Sequence, residues 1–338
     1  MQKLPSETER KLVTLSIAIT DNSYGKEPEK RTMEEYLKYG FVNLNKPQGP
    51  TSYGAVARVK RILSVKKAGH GGTLDSNVSG VLPVALEEST KVLGSLLSAG
   101  KEYVGMMHIH EEVDEERIKA VFSEFEGDII QRPPVRSSVK RQLRKRRIYY
   151  LEFFGKDGKD GKDVQFMVGC EAGTYIRKLC NDIGEVLGTG AHMVELRRTK
   201  SGSLTDDNMV TLDDLRNAST LWKEKGVEEG LRKVIMSVEK VVSFLPKVIV
   251  RDSAVDAICH GAPLAVPGIT MLDTQLEKGK IATVLTLKGE LVATGIAMKD
   301  TAEILSEGKG IAVKTDRVLM KLGTYPKFQK RCLTYSHD

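Results

Sequence analysis

Apolar and polar positions along the first two thirds of the chain repeat with periods near two and near 3.6, which predicts strands mixed with helices. Residues 41–45 have a strand pattern that ends at 46–50, and Thr51 or Ser52 then caps a helix. We expect Pro83 to confine its strand to a sheet edge or a bulge. The further predicted elements are strands at Val81–Leu86, Tyr103–His110, Ile148–Phe154 and Val164–Val168, and helices at 114–127 and Thr174–Leu187.

The pattern changes near Pro246. Short strands and tight turns follow, with a short helix at Ser253–Cys259 and a hairpin around Lys288-Gly289. The sequence therefore predicts a polar extension over residues 1–32, a larger domain over 33–246, a small β-rich domain over 247–322 and a loosely held tail over 323–338.

Composition narrows the class of protein only slightly. The chain has 338 residues, 40% of them apolar, and its 52 Lys and Arg exceed its 45 Asp and Glu by a net charge of +7. That excess fits a polyanionic partner, and it fits a well-solvated basic surface equally well. The four cysteines form no C-x-x-C pair, so we expect reduced thiols in a cytosolic protein. We expect no signal peptide and no membrane span.

Asp75 is the first candidate for chemistry. It follows Gly69-His70-Gly71-Gly72, whose glycines allow tight turns and the close approach of a ligand. The segment lacks the spacing of a nucleotide-binding glycine motif. Asp75 is therefore a candidate for a carboxylate that points into a cleft. The alternative, an aspartate that caps a turn, is the commoner role of such residues.

Three further positions accompany Asp75. Arg177, at the start of a predicted helix, offers a fixed fork of donors to a carboxylate, or it is a surface arginine. Tyr103 is suited to stacking on a base or to acid–base work, or it is a half-buried strand tyrosine. The segment 196–202, Leu-Arg-Arg-Thr-Lys-Ser-Gly, is suited to phosphate binding or to lining a pocket, or it is a basic edge strand.

Residues 140–147 carry six positive side chains in eight positions. Such density favours contact with phosphates, because like charges this close repel one another without counter-charges. We expect RNA contacts from Arg132, Arg136, Lys140, Arg141, Arg144, Arg146, Arg147 and Arg198.

Two other features carry weaker predictions. His108 and His110 share one face of a strand, but no third metal ligand is evident, so we expect no metal site. Three tandem Gly-Lys-Asp triplets occupy 155–163 between two strands. They indicate either a loop that touches RNA or, as the pattern favours, a solvated hairpin tip.

The motifs also occur in a specific order. They are Asn43-Leu44-Asn45-Lys46-Pro47-x-Gly49-Pro50-Thr51-Ser52, Gly69-His70-x-Gly72-Thr73-Leu74-Asp75, Ser79-Gly80-Val81-Leu82-Pro83, Lys101-x-Tyr103, Gly173-Thr174-Tyr175-Ile176-Arg177 and Leu196-Arg197-Arg198-Thr199-x-Ser201-Gly202. This order resembles the pseudouridine synthase family that contains the bacterial tRNA T-loop enzyme and dyskerin. The segments 33–40 and 131–137 resemble the dyskerin branch, and the length resembles its archaeal form.

The resemblance implies an α/β (α+β) pseudouridine synthase domain with a central, mostly antiparallel mixed sheet. It also implies a small β-barrel PUA domain against which the N-terminal extension packs. It further implies an H/ACA particle, in which guide RNA selects uridines in rRNA or tRNA and small protein subunits assist. The alternatives are a guide-independent tRNA enzyme and a non-catalytic RNA-binding scaffold. No cofactor is expected, because the isomerisation involves neither a redox change nor an external group.

By the same resemblance, Asp75 is the catalytic carboxylate, paired with Arg177. Tyr103 stacks on a flipped uridine and is a candidate to take its C5 proton. The residues that shape the pocket are Lys46, Tyr175 and Leu196, and His70 lies near the flipped nucleotide. Asp75 either attacks C1′ or removes a ribose proton. The chain departs from the family pattern at Tyr53, where histidine is usual, and at Ser76, where proline is usual. Serine loosens the turn next to Asp75.

Overall fold

The computed structural model describes residues 3–133, 142–158 and 160–327. In these ranges the strands are β1 (Leu12–Thr14), β2 (Gly40–Lys46), β3 (Ala68–His70), β4 (Ser79–Leu86), β5 (Lys101–Ile109), β6 (Gly127–Gln131), β7 (Arg144–Asp157), β8 (Asp163–Cys170), β9 (Ala191–Ser201), β10 (Leu204–Thr205), β11 (Met236–Ser237), β12 (Lys247–Val250), β13 (Leu264–Ala265), β14 (Ile269–Asp273), β15 (Ile281–Thr286), β16 (Leu291–Ala297) and β17 (Ile311–Val318). The helices are α1 (Met33–Lys38), α2 (Ser52–Leu63), α3 (Leu93–Ser98), α4 (Glu115–Phe125), α5 (Ile176–Leu187), α6 (Leu212–Lys225), α7 (Glu229–Val234), α8 (Val238–Val241), α9 (Asp252–Cys259) and α10 (Thr301–Glu307).

These residues form two compact units. The first comprises residues 3–8, 37–236 and 240–244, and the second comprises 9–36, 237–239 and 245–327. The expected boundaries differ from this division mainly at the N-terminus, because residues 3–8 belong to the first unit and 9–36 to the second. No helix in the described ranges is long and apolar enough to cross a membrane.

The first unit is built on a sheet with the order β2-β4-β9-β5-β8-β7-β6, to which β3 adds beside β4 and β10 beside β9. The strand pairs along this path are antiparallel except β4–β9, which is parallel. Helices α4 and α5 pack against β7 and β9. Apolar side chains at alternate strand positions and on one face of each helix supply the core. The predicted mostly antiparallel mixed sheet is confirmed.

The strand β4 corrects one expectation. Pro83 lies within a central strand, between β2 and β9, and not at an edge. The carbonyl of Pro83 accepts a hydrogen bond from Gly71 N at 2.9 Å, so the polar backbone of Pro83 faces the side of β3. On that side, β4 pairs with β9 only at residues 79–80 and with β3 only at residues 84–86. Pro83 lies between these two paired stretches, so the sheet does not require a backbone N–H from it.

The second unit is built on a sheet with the order β1-β14-β12-β15-β16-β17-β13, in which only β12–β15 is parallel. Its core is aliphatic, with Val248, Val284 and Val313 fully buried. β1 pairs antiparallel with β14 and so extends this sheet. The predicted hairpin is β15 and β16, closed by a hydrogen bond from Gly289 N to Thr286 O.

The start of the C-terminal segment is not loosely held, in contrast to the expectation. Tyr325 is 2% exposed, and its hydroxyl donates to Glu290 Oε2 at 2.8 Å. The aromatic ring therefore anchors the last described residues to the second unit, because withdrawing it would expose both an apolar surface and a buried carboxylate.

Candidate active site

The Asp75 loop, residues 71–78 between β3 and β4, presents a carboxylate to solvent. Arg177 lies in the first turn of α5, and its Nη2 is 2.7 Å from Asp75 Oδ2. The two side chains are 58% (Asp75) and 51% (Arg177) exposed. An ion pair this exposed adds only about 0–1 kcal/mol to stability. Its consequence is therefore geometric, because the guanidinium fixes the direction of one carboxylate oxygen in an open site.

Hydrogen bonds to the backbone hold this loop in place. The buried hydroxyl of Ser52 donates to Leu74 O at 2.9 Å and accepts from Leu74 N at 2.8 Å. Val78 N donates to Asp75 O and closes the turn. Gly72 has φ +136°, a conformation that side-chain-bearing residues rarely adopt. Asp75 therefore projects from a loop whose neighbouring peptide groups are fixed on both sides.

Lys46 lies beneath the Asp75 loop and is fully buried. Its ammonium donates to Pro47 O at 3.0 Å, Asp75 O at 3.1 Å and Val78 O at 2.8 Å. Burial lowers the pKa of Lys46, and the nearby charge of Asp75 opposes that shift. Lys46 was expected to shape the substrate pocket. The structure gives it contacts with the backbone that carries Asp75, so it acts on the loop from below.

Burial shifts the pKa values of Tyr103 and His70 so that the neutral form of each side chain is favoured. Burial raises the pKa of the Tyr103 phenol, and the adjacent Arg198 guanidinium opposes that shift. Burial, and then the charge of Arg198, lower the pKa of His70. His70 Nδ1 is buried and has no hydrogen-bond partner in the described residues. A neutral phenol is suited to stacking and to donating a hydrogen bond, whereas the tyrosinate required of a base is disfavoured.

Arg198 corrects a second expectation. It was expected to contact RNA, but its side chain is 1% exposed. Its Nε donates to Val81 O at 2.7 Å and its Nη2 donates to Gly72 O at 3.1 Å. A guanidinium enclosed in this way cannot reach a phosphate. The sequence alone could not reveal this, because alternate residues of a strand face opposite sides and Arg197 is also basic.

Gln131 is a contributor that the sequence analysis missed. It is 2% exposed, and its amide accepts from Tyr175 N at 2.9 Å and donates to Tyr175 O at 3.2 Å. This pairing fixes the residue before α5, and hence the start of the helix that carries Arg177. No pattern in the sequence singles out Gln131.

Leu196 is 5% exposed and packs closely against Gly105: a β-carbon added to Gly105 would lie 2.8 Å from Leu196 Cδ1.

The basic segment is only partly described. Arg136, Lys140 and Arg141 lie outside the described residues. Arg132 and Arg147 are exposed, whereas Arg144 and Arg146 are half-buried on β7. The ion pairs here are Lys145–Asp128 at 2.9 Å, Arg147–Asp128 at 3.9 Å and Arg146–Glu171 at 3.9 Å. Two acidic residues distant in sequence thus offset part of the repulsion expected from the basic run.

Three histidines meet at the far end of the sheet. His108 and His110 are joined by His192, with ring centroids 5.3–6.2 Å apart, and Asp163 Oδ1 lies 2.7 Å from His108 Nδ1. The sequence analysis missed His192. No group of three residues suited to holding a metal is found in the described residues. In the Gly-Lys-Asp segment, Lys162 Nζ donates to His110 O, just after β5, so this ammonium is bonded to the neighbouring strand's end.

Comparison with known proteins assigns this architecture. Family models match over most of the chain: "DKCLD (NUC011) domain" at residues 2–56, "TruB family pseudouridylate synthase (N terminal domain)" at 60–176, "tRNA pseudouridylate synthase B C-terminal domain" at 177–243 and "PUA domain" at 246–319. The Asp75 loop and Tyr103 fall in the second match, and Arg177 is the first residue of the third.

Relatives match over nearly the full length. The chain is 53% identical to a "Probable tRNA pseudouridine synthase B" of Methanopyrus kandleri over 96% of both chains. It is 55% identical to a protein of the same description from Thermococcus onnurineus, over 96% of this chain and 97% of that one. The chain belongs to the TruB family of pseudouridylate synthases.

Solved structures define the branch of the family. A chain in the "Crystal Structure of a Cbf5-Nop10-Gar1 Complex" has a TM-score of 0.92 and 52% identity, over 97% of this chain and 99% of that one. A chain in the "Structure of H/ACA RNP bound to a substrate RNA containing 2'-deoxyuridine" has a TM-score of 0.90 and 49% identity, over 96% and 99%. The expected resemblance to the dyskerin branch is confirmed, as are the predicted synthase and PUA folds. This chain is an RNA pseudouridine synthase.

Proposed function

We propose that Asp75 is the catalytic carboxylate that converts a flipped uridine to pseudouridine. The ion pair between Asp75 and Arg177 is the observation that carries the proposal, because it aims an exposed carboxylate from an otherwise fixed loop. The reaction breaks the bond between C1′ and N1 of the uridine, turns the uracil and joins C1′ to C5; C5 then loses its proton and N1 gains one, so that the product is an isomer of the substrate. Asp75 acts by attack on C1′ or by removal of a ribose proton, and both routes need the oriented carboxylate that Arg177 provides.

The surrounding residues have distinct proposed roles. Tyr103 stacks on the flipped base as a neutral phenol, since burial disfavours its ionisation. His70 faces the flipped nucleotide with a neutral ring whose Nδ1 lacks a partner among the described residues. Tyr175 and Leu196 shape the pocket. Lys46 supports the Asp75 loop through the carbonyls of Asp75 and Val78 and so serves the pocket indirectly.

We propose that an H/ACA guide RNA selects the target uridine in rRNA or tRNA, and that small protein subunits complete the particle. The support is the similarity to chains from the Cbf5-Nop10-Gar1 complex and the H/ACA RNP with substrate RNA. Exposed Arg132 and Arg147, with Arg144 and Arg146 beside them, contribute phosphate contacts.

A cytoplasmic location suits the three described cysteines, which are buried and unpaired.

A guide-independent tRNA enzyme is the second candidate, because several relatives carry the description "Probable tRNA pseudouridine synthase B". Chemical labelling of pseudouridine separates the two. Purified protein is incubated with an unmodified tRNA transcript, with and without guide RNA and the small subunits. Product that forms only with a guide supports the particle, and equal product without a guide supports the tRNA enzyme.

The role of Asp75 is tested in the same assay. Asp75→Asn should abolish product while leaving the dissociation constant for RNA within about twofold, since the amide keeps the shape but not the charge. Asp213→Asn is the matched control, because Asp213 is also an exposed aspartate bonded to an arginine, Arg216, but it lies on α6. Turnover of Asp75→Asn close to the parent rate would reject the assignment.

A further inference from the structure

Arg198 joins parts of the site that are far apart in the sequence. From its position on β9, its Nε donates to Val81 O on β4 and its Nη2 donates to Gly72 O in the Asp75 loop. One rigid guanidinium therefore holds the loop against the sheet. The fork geometry matters here, because a lysine has no planar pair of donors to offer two carbonyls at fixed positions.

The same side chain lies beside Tyr103. Tyr103 on β5 is directly opposite Arg198 on β9 in the antiparallel register. Directly opposite residues share a face of the sheet, with β-carbons about 4.5–5.5 Å apart. The Arg198 guanidinium opposes the rise in the pKa of Tyr103 that burial causes, which is the effect of a cation close to the phenol oxygen. Arg198 thus has both the Asp75 loop and the Tyr103 hydroxyl within its reach.

The Arg198 side chain is enclosed by neighbouring elements. Gly80 lets the β4 backbone approach the Arg198 peptide, since a β-carbon there would lie 2.2 Å from Arg198 O, and the Arg198 guanidinium lies next to Gly72 of the Asp75 loop. No ion pair between Arg198 and a carboxylate is found in the described residues. Burying a cation costs several kcal/mol, and backbone carbonyls offset only part of that cost. The buried charge of Arg198 is therefore poorly explained by a contribution to folding stability and well explained by a role in the site.

We propose that Arg198 is a positioning residue for pseudouridine formation, holding the Asp75 loop and the Tyr103 hydroxyl in a fixed relation. This inference rests on the proposed function of Asp75 and Tyr103. Arg198 does not touch the substrate. It sets the distance between the carboxylate that acts on the ribose and the aromatic ring that holds the base, so that base and ribose are aligned when the bond to N1 breaks.

The test compares Arg198→Met, Arg198→Lys, Tyr103→Phe and the double variant Tyr103→Phe/Arg198→Met. Single-turnover pseudouridine formation and RNA binding are measured on the assembled particle. Arg198→Met should slow the chemical step by about 100-fold, the scale expected when reacting groups are misplaced by about 1 Å. The dissociation constant for RNA should stay within twofold of the parent, because the side chain is buried. Arg198→Lys, which keeps the charge without the fork, should be at least tenfold slower than the parent.

The double variant separates positioning from a general structural role. Tyr103→Phe keeps the stacking ring but removes the hydroxyl that Arg198 holds, so it should slow the chemical step on its own, and the double variant should then be no slower than Arg198→Met alone. Tyr103→Phe at the parent rate, multiplicative losses in the double variant, or Arg198→Lys within twofold of the parent, overturn the inference. If Arg198→Met does not fold, Arg198→Lys carries the test. An inactive parent particle would instead reject the proposed function, so the two failures are distinguishable.

Discussion

Arg177 Nη2 lies 2.7 Å from Asp75 Oδ2, although the two residues are 102 positions apart in the chain. The contact depends on two supports that are separate in the sequence. Ser52 fixes the peptide group before Asp75, and the Gln131 amide fixes the backbone of Tyr175 at the start of α5. The geometry of the site is therefore a property of four segments that only the fold brings together.

Substitution of Arg177 should affect the rate and not the stability. Arg177→Lys keeps the charge but loses the planar fork, so we expect pseudouridine formation to slow by about 10- to 100-fold. The midpoint of thermal unfolding should hardly change, because an exposed pair contributes only about 0–1 kcal/mol. Arg216→Lys on α6, whose partner is Asp213, is the control and should leave the rate unchanged. Full activity in Arg177→Lys would show that charge alone suffices.

Adjacent hydroxyls at the start of α2 should behave differently. Ser52→Ala removes both hydrogen bonds to Leu74 and should cost about 1–3 kcal/mol of unfolding free energy as well as slowing the reaction. Thr51→Ala removes only the cap to Gly54 N and should cost about 1 kcal/mol with little change in rate. Denaturant unfolding measures the loss of stability in both variants, and single-turnover assays measure the change in rate. Equal rates in the two variants would contradict a specific role for Ser52.

Lys101 should make stability depend on pH. Its ammonium donates to Leu96 O, Leu97 O and Ala99 O, and burial together with the charge of Arg198 lowers the pKa of Lys101 from 10.5 to about 7. Below pH 7 both folded and unfolded chains carry the proton, so the cost of the buried charge is fully present. Between about pH 7 and 10.5 only the unfolded chain keeps the proton, so the folded state gains stability as pH rises.

The matching measurement is unfolding of the parent and Lys101→Met at several pH values. Between pH 7 and 9 the parent should gain at least about 1 kcal/mol relative to Lys101→Met, which is below the limit of about 1.4 kcal/mol per pH unit. Other titrating groups contribute equally to both proteins and cancel in the difference. Parallel stability curves for the two proteins would show that the pKa of Lys101 is not lowered.

Gly80 should not accept a side chain. It has φ +103°, and a β-carbon there would lie 2.2 Å from Arg198 O, which is backbone and cannot move aside. We expect Gly80→Ala to cost about 3 kcal/mol or more. Gly94→Ala is the control, since its β-carbon would meet open space on α3 and should add up to about 1 kcal/mol of stability. Thermal unfolding of both variants checks the contrast, and a small loss at Gly80 would contradict it.

The local patterns predicted several of the strands and helices. The strand at 41–45, the helix after Thr51 and the hairpin around Lys288-Gly289 are all present. These predictions succeeded because side-chain periodicity and turn chemistry act over a few residues. The prediction that Pro83 confines its strand to a sheet edge or a bulge was wrong. A proline is tolerated within β4 because of where β3 and β9 stop pairing with it, and that depends on segments distant in sequence.

The site residues also divide into those that the sequence indicated and those whose contacts only the structure revealed. The order of the motifs indicated the family, with Asp75, Tyr103 and Arg177 as its site, because residue types and spacings are written in the chain. The prediction that Arg198 contacts RNA was wrong, because a charged residue in a basic segment is expected to be exposed unless the neighbouring strands are known to cover it. His192 gave no sequence signal, and Gln131 was noted only as part of the segment 131–137 and without a role, since the partners of both lie on other elements.

The sequence by itself therefore determined part of the regular structure, the two-part architecture and the candidate site around the Asp75 carboxylate. Only the tertiary structure decided which charges face solvent and which are buried: Arg177 reaches Asp75 from outside, whereas Lys46 and Arg198 hold its loop from within. The physical reason is that burial and pairing depend on segments distant in sequence, and these set the exposure and the pKa of each group.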